Sequence, residues 1–444
     1  MTEERTIDWT GRVLRLRVEG PAHGGEFVAR HEGRVVFCRG GIAGELVDVL
    51  VEQDPGRAFC RGTVRDVIEA SPHRVEPGCP AAAAGAGCCD WSHIASDAAR
   101  DFAGQILAEQ VSRLGRIELP DGPVDVDVPS GDAVTSGWRT VARWVTGPDG
   151  VPGVRRARSR DLVTEPCSQP DPRLRAAVSA ASFGPGREVL GALGDDGAVH
   201  IAHRPAVDDA PRGRGGGSRR SAATRARARH SRAPGWTVVA GEPTVVRRVG
   251  DREWRLPLEA FWQAHRSAAT HYSHQVRDAV SRTPGLPAAP VVWDLYGGAG
   301  LFAAGVRDAI PDARVTVVES VPASVTAAAG ALRDTTPADP DGYVRSVSSR
   351  VETFLEHASD RSPGPQVVIL DPPRGGAGIP VMERLAATGA TRIVHVGCDP
   401  ASLARDIGVV TAAGWSLTDL RGVAAFPGTH HVEGIAVLDA PGGA

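Results

Sequence analysis

From residue 285 to its end, this 444-residue chain alternates short apolar runs with amphipathic stretches, and that alternation constrains the fold most. The runs are APVVWDLY, ARVTVVES, YVRSVSS, PQVVIL and TRIVHVG. Stretches such as VPASVTAAAGALRD, PVMERLAATG and PASLARDIGVVTAAG lie between them. Strands of this length separated by helices predict a doubly wound parallel sheet, completed by a late pair at WSLTDLRG and VEGIAVLDA. Sheets of this kind bind ligands beyond the C-terminal ends of their strands, and the chemically suggestive motifs fall there.

In WDLYGGAGLF, Asp294 closes a strand, and Gly297, Gly298 and Gly300 turn into a helix, so a ligand can approach the backbone closely. Glu319 ends the next strand, where a carboxylate can accept hydrogen bonds from both hydroxyls of a ribose. The pair predicts a nucleoside-containing cofactor and leaves a dinucleotide and S-adenosylmethionine both open. In VVILDPPRGG, Asp371 follows a buried strand and two prolines stiffen the loop behind it. Such a turn beside a cofactor cleft is typical of methyltransferases that act on a planar nitrogen or carbon of a base. Amino-group methylases usually carry an aromatic residue where this chain has Arg374, which disfavours that reaction.

In HVGCDPASLARD, Asp399 fits an N-cap and Pro400 the first helical position. Cys398 then sits just ahead of a helix N-terminus, where the dipole favours thiolate. A buried packing thiol is the alternative. The choice turns on FPGTHHVEG, where Glu433 can reach the same cleft and act as general base. The neighbouring His430 and His431 suggest zinc only weakly, because no nearby Cys or His pair completes a tetrahedral set.

Upstream, residues 10–70 read as short strands split by glycine turns, the spacing of a small five-stranded β-barrel. A Cys-rich stretch follows, then a helix over ASDAARDFAGQILAEQVSRLG, then mixed strand-like and irregular pieces including WRTVARWV and GVRRARSRDLV. Residues 206–234 hold almost no large apolar side chains, and eight arginines fall between Arg212 and Arg232 without an acid. They predict a disordered linker, which is compatible with an arm that touches phosphates.

All 50 basic residues are arginine, yet the net charge is −3, so any nucleic-acid surface must be local. The start of the chain, MTEERTIDWTGRV, lacks a signal-type apolar core, and no run reaches membrane-spanning length. A cytoplasmic protein without disulfides or membrane association is expected. Its seven cysteines, at positions 38, 60, 79, 88, 89, 167 and 398, are then packing thiols, metal ligands or catalytic groups.

Taken together, DLYGGAG, DPPRGGAG, GCDPASLARD and FPGTHHVE resemble the RNA uridine-C5 methyltransferases that make 5-methyluridine. LEAFWQAHRSAA is similar to that family's Phe-x-Gln segment. The first 75 residues resemble a TRAM domain, an RNA-binding barrel, with Ala43-Gly44-Glu45 where the usual core has Pro-Gly-Glu. The resemblance implies a multidomain α/β chain. A TRAM-like, OB-like barrel spans 1–75, a Cys-rich segment with a central α+β domain 76–205, a basic insertion 206–234, and a Rossmann-like class I methyltransferase domain 235–444.

It also implies roles. Cys398 is the nucleophile and Glu433 the base, with Asp371 beside both cofactor and uracil. Gln263, Tyr296, Gly298, Gly300, Glu319 and Asp371 bind S-adenosylmethionine, and Gln263 with Phe261 or Trp262 holds the flipped base. TRAM-bearing members often ligate a 4Fe-4S cluster, and Cys79, Cys88, Cys89 and Cys167 lie in the corresponding regions with altered spacing. Adjacent cysteines chelate one cluster awkwardly, so a degenerate site of packing thiols is the alternative. The TRAM barrel and Cys-rich region favour 23S ribosomal RNA as substrate, and a monomeric enzyme is expected. The rivals are a tRNA methylase, an RNA-binding or remodelling protein with secondary methylation, and a small-molecule methylase.

Overall fold

The computed structural model describes residues 8–56, 58–129, 135–206, 235–333, 343–357 and 363–442. The Arg-rich insertion expected over 206–234 lies, apart from residue 206, outside the described residues.

Strict alternation of inward apolar and outward polar side chains builds the first unit. In β1 (Val13–Pro21), Leu14, Leu16 and Val18 point inward while arginines point out. With β2 (Phe27–His31), β3 (Arg34–Arg39), β4 (Leu46–Gln53) and β5 (Phe59–Glu69) it closes a barrel in the order β1-β2-β3-β5-β4. The buried Glu45 accepts from the Ile42 and Ser71 amides and pairs with Arg74, tying the chain's exit to the barrel. Thus the acid of the departing Ala-Gly-Glu tripeptide is the part that carries structure.

A helical turn, α1 (Pro80–Ala83), precedes α2 (Ser96–Gln110), which widens into a π-turn over Val111–Gly115, the stretch expected as one continuous helix. Phe102, Trp91 and Ile106 pack into the barrel's core, and Val432 from the far end of the chain joins them. The central region forms a six-stranded sheet in the order β12-β11-β10-β7-β8-β9. Its strands are β7 (Val141–Thr146), β8 (Pro152–Arg155), β9 (Leu162–Val163), β10 (Arg187–Leu193), β11 (Val199–Pro205) and β12 (Thr237–Ala240), with α3 (Pro172–Ala180) against β10 and β11. A hairpin, β13 (Thr244–Val249) and β14 (Arg252–Pro257), leads to α4 (Ala268–Ser281).

The C-terminal sheet contains the predicted strands: β15 (Val291–Leu295), β16 (Arg314–Glu319), β17 (Val344–Ser348), β18 (Val367–Leu370), β19 (Arg392–Gly397), β20 (Ser416–Val423) and β21 (Glu433–Asp439). Helices α5 (Leu301–Ala309), α6 (Pro322–Arg333), α7 (Val351–Glu356), α8 (Ile379–Ala386) and α9 (Pro400–Ala412) separate the parallel strands. The order is β17-β16-β15-β18-β19-β21-β20-β6, with β21 antiparallel between β19 and β20. Strand β6 (Val126–Asp127) joins this sheet from the central region, and two residues are too few to announce a strand in sequence. All of β18 and β19 is buried, which accounts for their unbroken apolar runs. The two polar residues of β19 are partnered, Arg392 with Asp439 and His395 with Asp406.

The register of the antiparallel pair matters for the site. Gly397 of β19 opposes Gly434 of β21, which places Cys398 and Glu433 at the same sheet edge. Both glycines are sterically required, because Leu403 of α9 packs on them. A Cβ on Gly434 would lie 2.3 Å from Leu403 Cδ2, and one on Gly397 2.9 Å from Leu403 Cβ. Gly434→Ala should therefore cost about 1–3 kcal/mol, the usual range for overpacking. In a double-mutant cycle with Leu403→Ala, read by urea unfolding, the double mutant should lose less stability than the sum of the two single losses. Strict additivity would disprove the contact.

Candidate active site

The edge formed by the C-terminal ends of β15, β16, β18 and β19 and the start of β21 gathers the residues singled out from sequence. Tyr296 follows β15 in a left-handed conformation, φ 58°, and leads into Gly298 and Gly300, which also have positive φ. Gly300 begins α5, and a Cβ there would crowd Ala328 and Leu332 of α6 at 3.1 Å. Nothing lies within 4 Å of the Cβ direction of Gly298, which leaves its backbone open to a ligand. Glu319 ends β16, its carboxylate accepting from the Val321 amide and Ser320 hydroxyl.

Asp294 is fully buried; one oxygen accepts from the Ala303 amide and the other has no protein partner. Burial pushes its pKa up to about 7, with Glu319 adding to the shift and the Ala303 bond opposing it. Asp371 and Glu433 move in the same direction. Burial raises Asp371 well above the usual carboxylate range, with Glu433 and Asp294 contributing. Burial also raises Glu433, which Tyr272 and Arg374 partly offset.

Cys398 is half-buried just before α9. Asp399 caps that helix, accepting from the Ser402 amide, and Pro400 occupies its first position, as the sequence predicts. The expectation that this helix terminus favours thiolate is overturned. Burial, then the Glu433 and Asp371 carboxyls, push the Cys398 thiol up to about 12. A helix dipole contributes about 0.3–1 kcal/mol and cannot offset lost hydration together with two carboxylates.

The structure therefore brings Asp371, Cys398 and Glu433 together, with Arg374 as a facing cation. It adds Tyr272 of α4, which the sequence does not mark. Tyr272 is wholly buried, and its hydroxyl lies close to Glu433 outside strict hydrogen-bond geometry. Burial and Glu433 raise its pKa well above the ordinary phenol value, so it stays protonated beside the carboxyl. Tyr272 sits in a helical stretch of ordinary composition, so no motif announces it.

The Phe-x-Gln segment divides. Gln263 is buried, while Phe261 is 73% exposed. Trp262 tilts against Trp254 at 5.3 Å and packs on the core, which makes it a structural residue rather than a platform for a base. Backbone bonds from Thr140 to Ala264 and from Arg266 to Trp138 fix the segment to the central region. A cavity of about 470 Å³ opens beside it, lined by Trp138, Arg173, Arg175, His265 and Arg266 among others. None of the Asp371, Cys398 and Glu433 trio lines it.

The turn entering β21 is anchored from two other units. His430 donates to Asp90 through both its backbone amide and its ring Nδ1–H, and the Trp91 amide donates to Gly428 O at 3.0 Å. His430 is thereby a partner of Asp90 and not half of a metal pair. Burial, then His430 and Arg374, lower His431 to about 3, so it is neutral. From the barrel, His23 reaches Asp399 at 3.1 Å, one residue from Cys398. The four cysteines expected to form a metal set, Cys79, Cys88, Cys89 and Cys167, converge with every sulfur within 4.8 Å of the others.

A doubly wound sheet with a glycine turn and an acid at its ligand edge, joined to a small barrel, defines a methyltransferase of class I architecture with an RNA-binding module. Residues 9–63 match the TRAM domain. An uncharacterized RNA methyltransferase of Corynebacterium efficiens is 39% identical over 99% of this chain and 97% of its own length. One from Corynebacterium glutamicum is 37% identical over 96% and 97%. The solved tRNA (uracil-54, C5)-methyltransferase of Pyrococcus abyssi, in complex with S-adenosyl-L-homocysteine, shares the fold with a TM-score of 0.63. The identity is 17%, covering 95% of this chain and 99% of that one. The chain belongs to the TRAM-domain-containing, S-adenosylmethionine-dependent RNA methyltransferases. No helix among its described residues is long and apolar enough to cross a membrane.

Two outcomes test the electrostatics. The Asp294 pKa is 3.8 when unfolded and about 7 when folded, so its stabilising protonation is complete below 3.8. That stability is lost at about 1.4 kcal/mol per pH unit as pH rises toward 7. Unfolding measured at pH 5 and 8 should show Asp294→Asn gaining stability relative to the parent at the higher pH. A pH-independent difference would refute the raised value. Iodoacetamide should alkylate Cys398 in the free protein more slowly at pH 8 than a model thiol of pKa about 8.5. Peptide mapping reads the rate, and fast labelling would count against the protonated thiol.

Proposed function

We propose that the chain methylates C5 of uridine in RNA through a covalent bond between Cys398 and C6 of the base. The observation that carries this reading is the placement of a cysteine and two carboxyls, Asp371 and Glu433, around one sheet edge. Uracil C5 is a poor nucleophile. Loss of the Cys398 thiol proton to solvent frees a thiolate, whose attack on C6 breaks the C5–C6 double bond and delivers that bond's electron pair toward C5 and O4. S-adenosylmethionine supplies the methyl group that C5 accepts. Glu433 then takes the proton from C5, the double bond re-forms, and the Cys398–C6 bond breaks.

The open backbone at Gly298 and the unpartnered buried oxygen of Asp294 fit a polar nucleoside ligand at this edge. By resemblance, Gln263, Tyr296, Gly300, Glu319 and Asp371 complete its site. Bringing a cationic sulfonium beside the trio would offset the carboxyls that hold Cys398 as a thiol, coupling nucleophile activation to cofactor binding. Phe261, largely exposed, offers an aromatic face on which an extruded base could stack. Arg173, Arg175 and Arg266 around the neighbouring cavity offer phosphate contacts. The TRAM barrel and the Cys-rich segment favour ribosomal RNA, 23S in particular, over tRNA as substrate. Seven free thiols among the described residues accord with a cytoplasmic enzyme.

RNA containing 5-fluorouridine tests the mechanism, because fluorine at C5 cannot leave as a proton. With cofactor, the protein should form a denaturation-resistant adduct that Cys398→Ala abolishes. Glu433→Gln should still bond to ordinary RNA but turn over about 10²–10⁴-fold more slowly. No adduct with competent RNA, or trapping by Cys398→Ala, would sink the reading. Loss of 5-methyluridine from rRNA but not tRNA in a deletion strain would identify the substrate, and the reverse pattern would make it tRNA.

A further inference from the structure

The four-cysteine set does not fit the iron-sulfur cluster that the family resemblance implies. In a 4Fe-4S cube each thiolate stands outside an iron at alternate corners, so the four sulfurs spread about 6 Å apart. Here Cys79 and Cys88 sulfurs are 3.9 Å apart, Cys89 and Cys167 sulfurs are 3.9 Å apart, and all four lie within 4.8 Å of one another. A tetrahedral ion with metal–sulfur bonds of about 2.3 Å has sulfur–sulfur edges of about 3.8 Å. We propose that Cys79, Cys88, Cys89 and Cys167 bind a single structural zinc ion.

The surroundings suit such a centre. Three of the four cysteines are buried and Cys88 is half-buried. The Ser168 amide donates to Cys79 Sγ at 3.5 Å, an orienting contact from outside the ligand set. Gln169 Nε2 donates to Cys88 O at 2.6 Å, and its own oxygen accepts from Arg139 at 2.8 Å. Four thiolates on a divalent ion carry a net charge of about −2. The guanidinium of Arg139, which lies against Cys167, Cys89 and Cys88, opposes that charge.

The next two residues give the centre its consequence. Asp90 and Trp91 hold the 428–430 backbone and His430, on the turn that enters β21 at Glu433. Zinc would thus fix the segment that positions the base, without taking part in methyl transfer.

Metal analysis of the full chain, purified anaerobically from medium supplied with both metals, decides the proposal. The expected result is about one zinc per chain, iron at trace level and no visible charge-transfer band. Zinc should be released when an organomercurial blocks the thiols, and Cys88→Ser or Cys167→Ser should bind it at least tenfold more weakly. Cys398→Ala should keep it. If the serine variants do not fold, cobalt(II) substitution of the parent should give the d–d and thiolate bands of a tetrahedral centre. About four irons per chain with a visible band, an octahedral cobalt spectrum, or no metal even after zinc is added under reducing conditions would each overturn the assignment. Metal content is independent of the nucleotide modified, so failure here leaves the uridine-C5 reading standing, and failure of that reading leaves this one.

Discussion

The antiparallel insertion of β21 between β19 and β20 is the constraint on which the site depends. A purely parallel sheet presents only strand ends at its ligand edge. Reversing one strand brings the start of β21 to that edge, so Glu433 stands across from Cys398, with Asp371 one strand further on. The register is held by paired glycines under Leu403 and by Asp406 of α9. Asp406 accepts from the Ala377 and Gly378 amides and bonds His395 of β19. One buried carboxylate thereby joins the loop after Asp371, the strand before Cys398 and the helix after it. Ser402 strengthens the tie by donating to Arg374 O at 2.7 Å.

The same crowding explains the site's electrostatics. Asp294, Asp371 and Glu433 lie in or beside one cleft, and burial shifts each toward its neutral form. Arg374 is the cation that faces them, and it only partly offsets the shift at Glu433 and Cys398. A cleft of this kind gains most from a ligand that brings positive charge, because each carboxyl then recovers its preferred ionised state. Protonation of Cys398 in the free protein also slows alkylation and oxidation of its sulfur.

Much of this was legible in sequence because it is local. Unbroken apolar runs mark buried parallel strands, and an Asp-Pro after a strand marks a capped helix, so β15 to β21 and α9 fall where their residues predict. The acids and the cysteine at strand ends followed from the same reading. What stayed hidden is non-local. The charge state of Cys398 depends on carboxyls 27 and 35 residues away in sequence, which outweigh the adjacent dipole. Tyr272 reaches Glu433 from a helix with no motif, and the two-residue β6 has no pattern to read. The altered cysteine spacing suggested an awkward cluster, whereas the folded chain brings all four sulfurs into contact range.

The turn from Phe426 to Val432 is where the three units meet. Val432 sits in the barrel's apolar core, His430 pairs with Asp90 beside the cysteine set, and Phe426 packs edge-on to Trp138 of the central region at 6.1 Å. Gly25 of the barrel lies so close to the Asp90–His430 pair that a Cβ there would stand 2.5 Å from Asp90 Oδ2. His23, two residues earlier, touches Asp399. The barrel is therefore not a tethered RNA hook. Its loop is packed against Asp399, next to Cys398, and against the Asp90–His430 pair on the turn that enters β21 at Glu433. Such packing joins the barrel, the central region and the sheet edge that carries Cys398 and Glu433 through one turn.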